Sequence, residues 1–104
     1  MKLHPILMRS PEALVELADR AQHLGNTTSE RLTTLVRHFF NTGCKVPDLS
    51  GFPYDSPSKA FTLRFTREDL KLLKGFSQSK LYTRQQAVHV AVFSSLLDMG
   101  LTQK

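Results

Sequence analysis

Residues Phe61-Thr62-Leu63-Arg64-Phe65 alternate apolar and polar with a period of two, in a chain whose other apolar residues recur mostly at helical spacing. The run reads as a strand with Phe61, Leu63 and Phe65 facing a core and Thr62 and Arg64 facing outward. One strand cannot satisfy its own backbone, so it must pair with another. Within the chain the candidate is the short apolar run Leu3-His4-Pro5-Ile6-Leu7-Met8-Arg9. It is an imperfect one, because Pro5 removes a ladder donor and Arg9 falls where a buried residue is expected.

Helix starts are legible as caps. Ser10-Pro11-Glu12 offers a hydroxyl, then proline at the first helical position, then an acid in the first turn. Thr27-Thr28-Ser29-Glu30, Thr66-Arg67-Glu68-Asp69 and Thr83-Arg84-Gln85-Gln86 have the spacing of capping boxes. Gly25, Gly43 and Gly100 suit the left-handed position after a helix. Between these signals Leu14, Leu17, Ala18, Ala21 and Leu24 share one helical face, and Leu32, Leu35, Val36, Phe39 and Phe40 another. Leu70, Leu73 and Phe76 line a third helix, which Gly75 weakens, and Val88, Ala91, Val92, Ser95 and Leu96 line a fourth.

The order strand, cap, helix, cap, helix occurs twice, and superposing Thr27 on Thr83 sets an offset of 56 residues. At that offset Leu7 joins Leu63 on the inner side, and His4, Ile6 and Met8 take the outward positions, where they are poor hydrogen-bonding readers. The expected organisation is a first strand–helix–helix unit over 1–43, a connector over 44–59, a second unit over 60–100 and a tail over 101–104. The connector holds Pro47, Pro53 and Pro57, while Val46, Leu49, Phe52 and Tyr54 suggest that it packs against the surface.

The chain carries 14 Lys and Arg against 9 Asp and Glu, a net charge of +5. The whole excess lies between Lys59 and Arg84, where Lys59, Arg64, Arg67, Lys71, Lys74, Lys80 and Arg84 face only Glu68 and Asp69. A solvated helix face would also carry charge, but such concentration suits a polyanionic partner. No run is long and apolar enough to span a bilayer, there is no signal-peptide pattern, and the single Cys44 cannot form an internal disulfide, so a cytoplasmic protein is expected. The histidines (His4, His23, His38, His89) have no ligand spacing to one another or to Cys44, and read as surface or partly buried residues with no metal. There is no paired catalytic carboxylate, phosphate-binding glycine loop or nucleophile elbow, so neither an enzyme nor a small-molecule substrate or cofactor is expected.

The second copy, with Phe61-Thr62-Leu63-Arg64-Phe65 followed by two capped helices, resembles the ribbon-helix-helix family, which includes the Arc and MetJ repressors. The first copy carries a turn similar to the family's, Gly25-Asn26-Thr27-Thr28-Ser29-Glu30-Arg31-Leu32; in the second, Leu81 replaces the turn glycine. Two copies in one chain are similar to the arrangement in TraY-like conjugation proteins. The resemblance implies a mainly α fold with a short antiparallel β-ribbon, in which two units share one core. It also implies double-stranded DNA as partner, with the ribbon in the major groove. Thr62, Arg64 and the flanking Lys59 would then read bases. Thr27, Thr28, Thr83, Arg84, Arg67 and Lys80 would hold phosphates around the second-helix N-termini. The implied role is a transcriptional repressor or regulator. The alternatives are an accessory protein at a transfer origin or recombination site of a plasmid, phage or other mobile element, and an antitoxin-like interaction module using the connector or the pair Phe39 and Phe40. The ribbon forms within one chain or between the chains of a homodimer; the complete element order in both halves favours the former.

Overall fold

The computed structural model describes residues 2–43, 45–49 and 59–101. The element order is β1 (His4–Ser10), α1 (Glu12–Asp19), a short 3-10 turn (Gln22–Leu24), α2 (Thr28–Thr42), β2 (Lys59–Phe65), α3 (Arg67–Lys80) and α4 (Arg84–Asp98). The described chain is mainly helical, with one two-stranded antiparallel sheet formed by β1 and β2 of the same chain.

The pairing runs from His4 opposite Phe65, through Leu7 opposite Thr62, to Ser10 opposite Lys59. On β2 the expected alternation holds at its centre: Leu63 and Phe65 are buried and Arg64 is exposed. On β1 the expected faces are reversed. Ile6, Met8 and Ser10 are buried, while Pro5, Leu7 and Arg9 are exposed. β2 begins at Lys59 and β1 at His4, so the strands repeat at an offset of 55, not 56; only the second-helix caps, Thr27 and Thr83, keep 56. A one-residue slip moves every side chain of a strand to the other face. The register follows from the larger cost. Turning Arg9 inward would bury a charge, which costs far more than the roughly 1.5–3 kcal/mol forgone by leaving Leu7 in water.

The same register explains the start of α1. Ser10 is the last strand residue and is fully buried, and it does not cap the helix; Pro11 occupies the cap position without a side-chain bond. α1 ends at Asp19, after which the chain tightens into the 3-10 turn; Ala21 stays buried and Leu17 and Leu24 pack at the edge of the core. The remaining caps form as read. Thr66 and Asp69 bond reciprocally at 3.2 Å each, and Thr83 and Gln86 at 2.9 and 3.1 Å. At α2 the Glu30 amide donates to Thr27, but the Glu30 carboxylate accepts from Asn26 in place of Thr27. Gly43 and Gly100 have positive φ, at 63° and 72°. Gly25 is extended, at φ 168°; glycine is needed there for space, since a Cβ would lie 2.6 Å from Glu30 Cβ.

α4 is the centre of the molecule. Every residue from Ala87 to Leu96 is buried, as expected of a helix packed on all sides. It meets α1, α2, α3 and β1. Ser94 and Ser95 are tolerated there because their hydroxyls donate to the Val90 and Leu35 carbonyls at 2.7 and 2.6 Å. Phe39 is buried, Phe40 partly so, and both pack edge-on or tilted against Phe76. Val46 and Leu49 of the connector pack on the core; Cys44, Phe52 and Tyr54 lie outside the described residues.

Candidate nucleic-acid interface

The ribbon has one face in the core and one in solvent, and the solvent face is built from three cross-strand pairs: Pro5 with Arg64, Leu7 with Thr62, and Arg9 with Ala60. Arg64 is exposed and Thr62 half-buried, both on the outer face as expected. Lys59 is exposed too, but it opposes the buried Ser10 at the end of the ribbon and by alternation belongs to the other face. Arg9 was missed. Its position opposite Ala60 is recoverable from sequence only if Ser10 is accepted as an inward strand residue, not a helix cap.

The backbone beneath Arg9 is held from behind by α4. The Arg9 amide donates to Gln85 Oε1 at 2.9 Å, and His89 Nε2 donates to the Arg9 carbonyl at 2.8 Å. These side chains are one helical turn apart, so one face of α4 closes the edge of β1 that β2 does not pair. Pro5 has the same parity as Arg9, so its missing N–H lies on that edge and removes no ladder bond. His89 is 6% exposed, against the expectation of a surface or partly buried histidine. Burial lowers its pKa from the ordinary 6.5, with the hydrogen bond to Arg9 opposing in part. The carbonyl can only accept, so the neutral ring carries its proton on Nε2.

The two second-helix N-termini differ in charge. At α2, Asp19 accepts from the Thr28 hydroxyl at 2.7 Å and pairs with Arg31 at 3.0 Å, and Glu30 lies in the first turn. Carboxylates therefore already occupy the surroundings of that helix dipole, and the Thr28 hydroxyl is engaged. At α4 the first turn has no acid; Arg84 is its first residue and Thr83 its cap. Lys80, Thr83 and Arg84 are exposed around the α3–α4 turn, and Arg67 is exposed at the start of α3. Glu68 and Asp69 share its turn, and Asp69 pairs with Arg37 at 3.4 Å. Of the expected phosphate ligands, Thr83, Arg84 and Lys80 are thus grouped, Arg67 lies at the opposite end of α3 from Lys80, and Thr27 and Thr28 sit on the acidic α2 side.

Among the described residues no group of three or more His, Cys, Asp or Glu could hold a metal, and no helix is long and apolar enough to cross a membrane. No family model matches the chain, and neither does any curated protein or solved structure.

Proposed function

We propose that the chain is a tandem ribbon-helix-helix protein that binds double-stranded DNA sequence-specifically and acts as a transcriptional regulator without catalysis. In this reading the two strand–helix–helix units share one core and present one ribbon to the major groove. The observation that carries it is the outer face of that ribbon. It is narrow, solvent-facing, and bears Arg9 and Arg64 on the side opposite the buried Ile6, Met8, Leu63 and Phe65. A two-stranded ribbon fits the major groove, and arginine can bond guanine O6 and N7 together. Lys80, Thr83 and Arg84 at the acid-free end of α4 supply phosphate contacts. In this reading Thr27 and Thr28 serve capping and local bonding, since carboxylates surround the α2 N-terminus. Phe39 is buried and Phe40 partly so, both packed against Phe76, which favours the DNA-binding reading over an interaction module built on that pair.

The test is a gel shift of the full chain against genomic fragments over a salt series. Binding should weaken steeply between 50 and 200 mM salt, as counterion release requires. Arg64→Ala should cost about 1–3 kcal/mol on the preferred fragment and little on random DNA. Salt-insensitive binding, or equal losses on both DNAs, counts against base reading. The gene beside the bound fragment distinguishes a repressor from an accessory protein at a transfer or recombination site.

A further inference from the structure

β1 and β2 are each seven residues long and pair from end to end, so a pseudo-two-fold axis passes between the facing residues Leu7 and Thr62. About that axis Arg9 exchanges with Arg64, and Pro5 with Ala60. Each arginine lies two residues beyond the centre of its own strand, so the pair occupies opposite corners of the outer face, and both are exposed. The centre breaks the symmetry. Leu7 is 75% exposed and offers no hydrogen-bonding atom, whereas Thr62 opposite it offers a hydroxyl and a methyl.

We infer that the duplex read by this ribbon is an imperfect inverted repeat, with one guanine on each DNA strand taken by Arg9 and Arg64, flanking an A·T centre whose orientation Leu7 sets. The inference rests on the proposed DNA binding and deepens it. At ~3.3 Å per residue the two arginine Cα atoms lie ~13 Å apart along the ribbon, about four base-pair steps at ~3.4 Å each. Their pseudo-two-fold relation directs them to opposite DNA strands. The guanines therefore bracket about three base pairs, as G-N-N-N-C or C-N-N-N-G. Among base edges in the major groove, only the thymine methyl matches an exposed leucine. Because Leu7 and Thr62 differ, that thymine belongs on one strand. The difference between the α4 and α2 N-termini adds a second polarity, since only one side is free of acid in the first turn. The protein thus binds its site in one orientation, unlike a homodimer on a true palindrome.

Arg9 and Arg64 are exposed, and the bonds to Gln85 and His89 fall on the Arg9 backbone, so the alanine variants retain those bonds. The experiment selects randomised duplexes with the full-length wild type, Arg9→Ala, Arg64→Ala and Leu7→Ala, and sequences the bound pools. The wild type should enrich two G·C pairs in inverted orientation around a centre with A·T in one direction. Arg9→Ala should lose the preference at one end only and Arg64→Ala at the other, each by ~10- to ~100-fold in relative affinity. Leu7→Ala should keep both ends and lose the central polarity. An enriched site whose two ends survive both arginine substitutions, or a true palindrome, overturns the inference and leaves DNA binding intact. Failure of the folded wild type to bind any duplex, with folding checked by circular dichroism, overturns both.

Discussion

At the scale of single residues, two side chains sit in environments their chemistry resists. His89 is buried and neutral, and the unfolded chain takes up a proton near the ordinary pKa of 6.5 while the folded chain does not. The unfolded state therefore binds more protons as pH falls through that value. Stability from this group is complete above pH 6.5 and declines below it, until the folded histidine also titrates. Urea melts at pH 7.5 and 5.5 should show the loss. His89→Phe should flatten that pH dependence while lowering stability at pH 7.5 by about 1–3 kcal/mol, because the Arg9 carbonyl loses its donor. Leu81 has φ 59° at the C-terminal cap of α3 and is 91% exposed. The left-handed conformation costs a β-carbon residue about 1–2 kcal/mol, of which glycine's greater unfolded entropy cancels part. Leu81→Gly should raise stability by about 1 kcal/mol, and an unchanged melting temperature would show that no strain is held there.

At the scale of elements, β1 is where local pattern and tertiary demand conflict. Its register takes Arg9 out of the core and in exchange leaves Leu7 in water and Ser10 fully buried. Ser10 Oγ has no hydrogen-bond partner among the described residues. Removing an unsatisfied hydroxyl from such a place costs no bond, so Ser10→Ala should stabilise the fold by about 1 kcal/mol. Thermal melting checks it: destabilisation would mean that the hydroxyl has a partner. The helices were more legible than this strand. Thr66, Thr83 and Thr27 cap where their spacing placed them, because caps depend on residues within one turn. The strand faces of β1 were not legible. Ile6, Leu7 and Met8 are all apolar, so no alternation distinguishes the inner side, and the choice passes to Arg9 and the partner strand. Hence Arg64 was found on the candidate interface and Arg9 was not. The α2 and α4 N-termini looked alike for a related reason: Asp19, which makes the α2 end acidic, comes from the preceding helix.

At the scale of the whole molecule, both strands and the surrounding core come from one chain, and the radius of gyration of 12.4 Å is that of a single folded body of this length, about 13 Å. The ribbon needs no second copy to close. Thermal unfolding should therefore be independent of protein concentration, and a melting temperature that rises with concentration would place part of the fold's stability between chains.

The amino-acid order alone determined the helical character, the caps at Thr27, Thr66 and Thr83, the outward placement of Thr62 and Arg64 and the confinement of excess positive charge to Lys59–Arg84, because each depends on residues close together in the chain. Only the tertiary structure decided the register of β1, the placement of Arg9 beside Ala60, the burial of His89 and the charge difference between the helix ends. Each of these is settled by which distant groups must share a low-dielectric interior, and desolvating a charge outweighs exposing one leucine.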